Sequence, residues 1–529
     1  MIFFSLLRHF PWSKILVLIV LSAWYAFLFI RPIDITVGDL GRHLKNGEII
    51  SSFFLSEGFN HPIFKTNYYS YTNTDFPFIN HHWGSGLVFY TVKIFFGFLG
   101  LQYFALVVSF TTLGIFFYLG YKRADFWPTA AITLFLIPLI GDRRDIRPEL
   151  FSYLFLGIFW LVLHSYHENI QNKKILFILP CIFLLWVNLH IYFIFGVALL
   201  VIYYLDAWIT KSKERKKALG LCIGLCFLAG LINPFGFSAY QYPLSISQSI
   251  GLPIQEMVPV YRATSTELDP ARAITFKVVF WIFWILYLLM IVREPKKFSF
   301  VTFGIAFLFS FLGWNMVRNI TMFGLFFLPL FSFVIGEYAK IYTKKSFIQR
   351  LDPKILLVVS IILIMILTAF IHRYRFPQAW NNFGISSPYE ENSAAIFLQK
   401  NNISGNIFND FNSGSYLIYY LYPRIKPFID QRPEAYPIDF VQKKYSKPRL
   451  DPQAWKDLEQ EYNFSTIILS QGNTAAPIVQ FIVDRLNDPQ WAPVIANRYH
   501  LIFLRRSALH DTIIVENEIP KEKFIKNNS

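Results

Sequence analysis

Long apolar runs separated by short basic loops dominate the N-terminal two-thirds of the chain. A helix needs about 20 mostly apolar residues to cross a bilayer core, with a range of about 17–25. The pattern therefore predicts about 11 membrane-spanning helices. They lie near residues 14–30, 101–121, 127–141, 148–165, 174–188, 190–208, 218–234, 275–292, 298–314, 316–336 and 355–372. No clear small-residue cleavage site follows the first run, which is predicted to be a retained span rather than a signal peptide.

The basic loops predict the orientation of these spans. The clusters lie at residues 122–123, 173–174, 211–217, 293–297 and 340–354. With a cytoplasmic N-terminus all of them fall on the cytoplasmic side, as the bias of basic loops toward that side requires. The first loop, 31–100, then lies outside, as do the loop 235–273 and the residues after about 373. The segment 84–97 is short and contains Lys93, and it is predicted to be a helix at the outer interface rather than a further span.

Beyond about residue 375 the apolar runs shrink to the length of strands, and polar and turn residues return. Strands are predicted at Asn406–Asp410, Lys426–Asp430, Thr466–Ser470 and Leu501–Arg505. Helices are predicted at 390–400, 414–421, 453–461 and 475–486. Alternating strands and helices are typical of a small α/β domain with a partly parallel sheet. The predicted fold is an all-α polytopic membrane bundle over residues 1–374, followed by a soluble α/β domain over residues 375–529.

Composition agrees with this division. Of the 529 residues 54% are hydrophobic and 16% are charged, whereas soluble domains carry about 25% charged residues. The formal net charge is +15, but the basic residues fall mainly in short loops, so they indicate membrane topology rather than nucleic-acid binding. The three cysteines lie within apolar runs and form neither a disulfide framework nor a metal-ligand pattern.

The first outer loop carries an unusual density of titratable and aromatic residues. Asp39 and His43 stand one helical turn apart near its start, and a carboxylate beside a bilayer is costly to keep there without a function. Asp39 is therefore the candidate catalytic residue. The alternative is that Asp39 is the N-cap of a helix beginning at Leu40.

His81, His82 and Trp83 open the predicted interfacial helix and are candidates for contacts with a sugar or a phosphate. Two adjacent histidines on a helix point about 100° apart, so they are poorly placed to chelate one metal ion. The alternative is that they are interfacial residues without a ligand.

Arg143, Arg144 and Arg147 lie on the predicted outer side, against the usual bias of basic residues. Arginine binds phosphate with two hydrogen bonds, and Arg147 precedes a helix that Pro148 can begin, so the cluster predicts an anion site. The alternative is salt bridges to Asp142 and Asp145. Arg318 interrupts a long apolar run and is a second candidate for binding a lipid phosphate.

His190 belongs to a further polar element inside an apolar stretch, together with Trp186 and Asn188. Such groups face a cavity or a partner helix. His190 is therefore either a ligand-binding residue or a structural hydrogen-bonding residue. The predicted substrate-binding residues are thus His43, His81, His82, Trp83, Arg144, Arg147, His190 and Arg318, with no metal ligand among them.

Several motifs, in the same order along most of the chain, carry a resemblance to a known superfamily. They are the set Asp39, His43, Leu44, Gly47 and Glu48; the elements Ser70-Tyr71-Thr72 and Asn80-His81-His82-Trp83; the stretch Arg147-Pro148-Glu149-Leu150-Phe151; the set Trp186, Asn188 and His190; and Gly414, Tyr416, Leu417, Pro423, Asp430 and Arg432. With these motifs the chain resembles GT-C glycosyltransferases, and more closely the bacterial relatives of the dolichyl-phosphate-mannose and aminoarabinose transferases.

The resemblance implies a sugar donor linked to polyprenyl phosphate, and it places Asp39 at the acidic catalytic position of the first outer loop. Those transferases often have an Asp-Glu pair here, whereas this chain has Asp39-Leu40. Because some GT-C enzymes bind a divalent metal through such pairs, the departure makes a metal cofactor less expected, and no cofactor is predicted.

The functional hypothesis is sugar transfer from a polyprenyl-phosphate donor to a glycan, lipid or protein acceptor at the outer face of a bacterial inner membrane. Asp39 would act as base in a single inverting displacement, while Arg147, with Arg144 or Arg318, would hold the phosphate. The alternatives are a transporter or flippase and a non-catalytic membrane scaffold. Two related halves, which many transporters have, are not detectable in this chain.

Overall fold

The computed structural model describes residues 12–29, 32–36, 38–141, 143, 145–246, 250–252, 254–265, 267–343, 392–471 and 476–525. Its N-terminal part is a bundle of helices. These are α1 Trp12–Phe29, α2 Leu40–Glu57, α3 Trp83–Ala124, α4 Phe126–Ile140, α5 Glu149–Glu168, α6 Ile178–Leu189, α7 Phe193–Ile209, α8 Lys213–Gly230, α9 Ser238–Ser245, α10 Pro270–Arg293, α11 Phe300–Asn315 and α12 Ile320–Thr343.

Four of these helices, α3, α5, α10 and α12, are long and apolar enough to cross a membrane, and α1, α4, α7 and α11 are shorter apolar helices. Each predicted span up to 316–336 coincides with a helix of the bundle. The last predicted span, 355–372, and the predicted domain boundary at residue 374 lie outside the described residues. The predicted separation of 174–188 from 190–208 is confirmed, because α6 ends at Leu189 and His190 has an extended backbone.

The helix α3 is divided by Gly97, whose backbone has φ 66° and ψ −169°. Positive φ is accessible to glycine at little cost, so the helix can break there without steric strain. The break lies at the end of the predicted interfacial segment 84–97 and separates it from the longer apolar part of α3. The location of this segment at a membrane surface stays a prediction.

The C-terminal part combines short helices with one four-stranded sheet. Its elements are α13 Ser393–Lys400, β1 Ile407–Asn409, α14 Gly414–Leu421, α15 Pro452–Tyr462, β2 Thr466–Ser470, α16 Ala476–Asn487, β3 Trp491–Ala496, β4 His500–Arg505, α17 Asp511–Asn517 and α18 Glu522–Ile525. The strand order is β1-β2-β4-β3. The pair β1–β2 is parallel, and the other two pairs are antiparallel. The predicted helical bundle with a small, partly parallel α/β part is therefore confirmed.

One predicted strand is wrong and one strand was missed. The segment Lys426–Asp430 does not join the sheet; its backbone instead bonds to the first outer loop, where Ser70 Oγ and Thr72 Oγ1 donate to the Phe428 carbonyl at 3.1 and 2.8 Å. The missed strand is β3, which contains Pro493. Proline is tolerated there because β3 is an edge strand, and the ladder shifts register beside it.

The outer loop is held between the bundle and the C-terminal part. The helix α2 contacts α14, because Arg42 N donates to Ser415 Oγ at 2.9 Å. On its other side α2 crosses α3 closely: a Cβ atom added to Gly47 would lie 2.2 Å from the Gly86 carbonyl oxygen. Residue 47 must therefore be glycine because α2 and α3 lie so close together there, and not because its backbone conformation requires it.

Gly47→Ala is expected to destabilise the protein, because the added methyl group forces α2 away from α3. Overpacking of this kind costs about 1–3 kcal/mol, which thermal unfolding of the purified protein in detergent would detect. Gly114→Ala in α3 is the matched control, since a Cβ there meets no atom within 4 Å. An equal loss of stability in both variants would contradict the close packing of α2 on α3.

Candidate functional site

Asp39 lies at the N-terminal end of α2, in the N-cap position, but its side chain makes no capping hydrogen bond. Its carboxylate is 3.6 Å from Arg42 Nη2, and 29% of the side chain is exposed. The N-cap alternative thus describes the position of Asp39 in the helix but not the contacts of its carboxylate. The side chain remains accessible to a molecule in the adjoining cavity.

That cavity is partly open, and its empty space of about 550 Å³ includes solvent at its mouth. Its lining includes both Asp39 and Arg147, which are far apart in the sequence. The approach is close at Gly38, where an added Cβ atom would lie 3.9 Å from Arg147 Nη2. Other lining residues are Phe29, Pro32, Ile33, Asp34, Leu40, Gln102, Ala105, Leu106, Asp145 and Ile146. The cavity therefore joins an apolar wall from α1 and α3 to a polar end.

Arg147 shares a carboxylate, Glu256, with Arg143. Arg143 donates to both oxygens of Glu256 at 2.7 and 2.8 Å. Arg147 reaches the same oxygens at 3.1 and 3.2 Å through Nη1. Burial alone would raise the pKa of Glu256, but the two guanidinium groups outweigh it and lower the pKa to about 2. Glu256 is therefore ionised at neutral pH and orients both arginines.

A second carboxylate, Glu149, continues this arrangement at the start of α5. Arg318 Nη2 donates to Glu149 at 2.5 Å, and Arg143 Nη2 lies 3.8 Å from the same oxygen. Positively and negatively charged side chains therefore alternate along this network, in the order Arg147, Glu256, Arg143, Glu149 and Arg318. Arg143, Arg147 and Glu149 also line a shallow depression that shares Asp145 and Arg147 with the cavity.

The sequence-based alternative for the arginine cluster named Asp142 and Asp145 as salt-bridge partners. Within the described part of the chain, Arg143 and Arg147 both pair with Glu256, and Arg143 also pairs with Glu149. Asp145 lines the cavity. The predicted phosphate ligand Arg144 and the alternative partner Asp142 lie outside the described residues. Arg318 does join the charged network, through Glu149 rather than through the cavity lining.

The predicted histidines form a contiguous cluster beside α2, although they are not among the residues that line the cavity. The His82 ring lies 5.2 Å from the rings of both His43 and His190, measured between centroids. The His81 and His82 rings are 3.8 Å apart. The expectation that these two side chains diverge is wrong, because both residues lie in the turn before α3 rather than within the helix.

Some polar atoms of this cluster have no hydrogen-bond partner among the described residues. Both ring nitrogens of His43 and the Nε2 atom of His82 are buried without a hydrogen bond. Burial lowers the pKa of His43 and His82 well below the ordinary value, and it lowers that of His81 to about 3. The rings are therefore neutral at pH 7, with hydrogen-bonding capacity that the described residues leave unused.

His190 and Trp83 have contacts that account for their burial. His190 Nδ1 lies 2.7 Å from Ser152 Oγ, which also accepts a hydrogen bond from Trp186 Nε1 at 2.7 Å. Trp83 donates to Asn188 at 3.2 Å and packs against a group of phenylalanine rings, Phe54, Phe59 and Phe64. These contacts are structural, and a substrate-binding role for either residue remains a prediction.

Among the described residues, no group of three or more histidine, cysteine, aspartate or glutamate side chains is arranged to hold a metal ion.

The charged groups near Asp39 include two residues that the sequence analysis did not single out, Arg42 and Glu434. Arg42 is 3% exposed and lies one turn after Asp39. Glu434 comes from the C-terminal part and is close enough to Asp39 to interact electrostatically. Arg42 could have been found by its helical spacing from Asp39, whereas Glu434 gives no local signal.

Glu434 is half-buried, and burial raises its pKa from 4.5 to about 7, with the Asp39 carboxylate adding to the rise. Between these two values the folded protein binds a proton that the unfolded chain does not. The stability contributed by Glu434 is therefore present below about pH 4.5 and is lost as the pH rises through about 7.

Glu434→Gln is expected to remove this component, so the stability of the wild-type protein should fall relative to the variant as the pH rises from about 4.5 through about 7. Thermal unfolding of both proteins between about pH 4.5 and 7 measures the difference in their stability. The histidines are the same in both proteins, so their contributions cancel in this difference. Glu516→Gln, at an exposed position on α17, is the control and should follow the wild-type protein. A Glu434→Gln curve parallel to that of the wild type would contradict the raised pKa.

Comparison with known proteins gives matches at the level of structure. No protein-family model and no curated protein sequence matches the chain. The Archaeoglobus fulgidus oligosaccharyltransferase, solved with a tethered acceptor peptide containing the NVT sequon, has a TM-score of 0.60 and 12% identity, over 87% of this chain and 69% of that one. The same archaeal enzyme, AglB, in complex with an inhibitory peptide and a dolichol-phosphate has a TM-score of 0.58.

ArnT from Cupriavidus metallidurans, bound to undecaprenyl phosphate, has a TM-score of 0.52 at 12% identity, over 94% of this chain and 98% of that one. A further structure of the archaeal enzyme contains zinc and sulfate. At this identity the likeness shows the fold alone, and the predicted GT-C-like fold is confirmed. Together with the apolar helices it identifies the chain as an integral membrane protein.

Proposed function

We propose that the protein transfers a sugar from a polyprenyl-phosphate-linked donor to an acceptor, with Asp39 as the base and Arg147 as the phosphate ligand. The observation that carries the proposal is that Asp39 and Arg147 line one cavity of about 550 Å³. An inverting displacement requires a base on one side of the anomeric carbon and stabilisation of the leaving group on the other. A carboxylate and a guanidinium group on a shared cavity supply both functions.

The composition of the cavity supports a lipid donor. Phe29, Ile33 and Leu106 form part of an apolar wall, and Arg147 and Asp39 stand at the polar end. A polyprenyl phosphate has the same division, with an isoprenoid chain and a charged head. The solved structures of similar fold with bound dolichol-phosphate and undecaprenyl phosphate support the same class of donor.

Arg147 can bind a phosphate without leaving Glu256. Both hydrogen bonds from Arg147 to Glu256 use Nη1, while Nη2 is the atom nearest Gly38. A phosphate oxygen at Nη2 would therefore add to the Glu256 contact rather than compete with it. Charge-assisted hydrogen bonds from arginine to phosphate are about twice as strong as neutral ones, and in the transition state the same group stabilises the charge that develops on the leaving phosphate.

The neutral histidines suit the sugar or the acceptor. His43 stands one turn after Asp39 on α2, and its buried ring nitrogens have no partner in the part of the chain that the structure describes. A neutral imidazole has one donor and one acceptor, which matches the hydroxyl groups of a sugar. We propose that His43 and His82 bind hydroxyl groups beside Asp39, and that the reaction takes place on the outer face of a bacterial inner membrane.

Asp39→Asn should reduce transfer by about 10²- to 10⁴-fold, because asparagine cannot accept the proton of the attacking hydroxyl. The assay uses protein reconstituted in proteoliposomes with a panel of undecaprenyl-phosphate-linked monosaccharides and a membrane extract as the acceptor source, and it measures release of undecaprenyl phosphate. Asp75→Asn, an exposed carboxylate in the same loop, is the matched control. Full turnover by the Asp39→Asn protein would exclude Asp39 as the base.

Arg147→Ala should weaken binding of undecaprenyl phosphate by roughly 10- to 150-fold, which corresponds to the loss of about 1.5–3 kcal/mol for hydrogen bonds to a charged group. Binding can be followed by native mass spectrometry of the detergent-solubilised protein. Arg262→Ala, an exposed arginine in the loop before α10, is the control and should bind as the wild type does. Unchanged affinity in the Arg147→Ala protein would refute the phosphate site, and binding without any transfer by the wild type would favour the flippase alternative.

A further inference from the structure

The C-terminal part contains a buried ion pair between Asp430 and Arg432. Their exposed fractions are 0% and 2%, and Arg432 donates to Asp430 through Nε at 2.7 Å and Nη2 at 2.6 Å. Tyr436 OH donates to the same carboxylate at 2.8 Å. A buried ion pair of this kind contributes little net stability compared with apolar residues of similar size. Its presence therefore calls for a role other than stability.

The guanidinium group of Arg432 also contacts the first outer loop. Its Nη2 atom donates to Asn67 Oδ1 at 2.8 Å. Its plane lies near two rings of the loop, 5.1 Å from the centroid of Tyr69 and 4.8 Å from that of Phe78. One side chain thus links the C-terminal part to residues more than 350 positions away in the sequence.

The contact continues from the loop to α2. Tyr69 OH donates to Asn46 Oδ1 at 2.5 Å. Asn46 is 1% exposed and lies about two turns after Asp39 on the same helix. Its amide nitrogen is 3.4 Å from Asn80 Oδ1, next to the histidine cluster. A chain of contacts therefore runs from Arg432 over the Tyr69 ring to Asn46 on α2.

We propose that Arg432 is a positioning residue, which holds α2 in register through Tyr69 and Asn46 and so directs the Asp39 carboxylate toward the cavity. The inference rests on the proposed function, since it concerns the placement of the proposed base. Arg432 touches no cavity residue in this connection and acts only through its neighbours. Positioning matters for rate because a displacement of about 1 Å can cost roughly 100-fold in turnover.

Lysine cannot replace arginine in this role. Its ammonium group can keep the charge pair with Asp430, but it lacks the planar fork that binds a carboxylate and an amide together and stacks on aromatic rings. Arg432→Lys therefore keeps the charge pair with Asp430 and removes the connection to α2, so that the two effects can be measured separately. Tyr69→Phe tests the same connection at its next step, because it removes the hydroxyl group bonded to Asn46 and keeps the ring beside Arg432.

The experiment compares three readouts in the full-length reconstituted protein. For Arg432→Lys and Tyr69→Phe we expect release of undecaprenyl phosphate from the sugar-linked donor to fall about 10- to 100-fold. Binding of undecaprenyl phosphate itself should stay within about twofold, because the Arg147 site is intact. Hydrogen exchange of the amides of residues 40–47 should rise about tenfold or more, with α5 unchanged.

The double variant should lose no more activity than the less active single variant, because both substitutions interrupt one connection. Arg506→Lys is the matched control: it alters an ion pair with Glu518 on the surface of the same C-terminal part and should leave all three readouts unchanged. If Arg432→Lys fails to fold, Tyr69→Phe alone decides the question.

Turnover and α2 exchange equal to those of the wild type in the folded variants would overturn the inference. So would an equal loss of binding and turnover together with lower stability throughout the protein, since that result indicates a general structural role. An inactive Asp39→Asn protein beside fully active Arg432→Lys and Tyr69→Phe proteins would reject only the positioning role. Full activity of Asp39→Asn would reject the proposed function, while hydrogen exchange would still report whether Arg432 holds α2.

Discussion

The site depends on how partly buried arginines are paired at one end of the helical bundle. Three arginines from two distant segments, Arg143 and Arg147 from one and Arg318 from the other, are held in place by two carboxylates, Glu149 and Glu256. Without these partners the guanidinium groups would repel one another in a region of low dielectric constant, and none would have a fixed direction. The alternation of charge fixes Arg147 with one nitrogen on Glu256 and the other toward Gly38, so that it faces the cavity next to the start of α2.

Asp39 and the helix α2 that follows it are held in place by the C-terminal part as well as by the bundle. The helix α2 is short and amphipathic, and it reaches its place by packing Gly47 against α3 and by polar contacts with Ser415 and, through Tyr69, with Arg432. Removing the C-terminal part would expose these buried groups. The C-terminal part and the first outer loop therefore support α2 together. Under the proposed function, this support would position Asp39 without a direct contact between the C-terminal part and the substrate.

Sequence alone predicted the fold well because the hydrophobic pattern that specifies each helix is contained within the helix itself. Apolar runs of membrane length identified the helices, and the division between the spans 174–188 and 190–208 followed from one short polar interruption. The shared cavity of Asp39 and Arg147 agrees with the hypothesis, which assigned both residues to one reaction. The partners of Arg147 were not, because Glu256 lies in a polar loop that has no periodic pattern. The strand predicted at Lys426–Asp430 failed for the same reason, since its hydrogen bonds go to side chains more than 350 residues away, which no local pattern records.

The most direct test of the central claim is a cryo-electron microscopy structure of the protein with undecaprenyl phosphate. The account predicts the phosphate in the cavity between Asp39 and Arg147, with its oxygens about 2.7–2.9 Å from the guanidinium nitrogens, and the isoprenoid chain along the apolar wall that includes Phe29 and Leu106. A lipid phosphate bound away from both residues, or a wall of packed side chains between them, would contradict it.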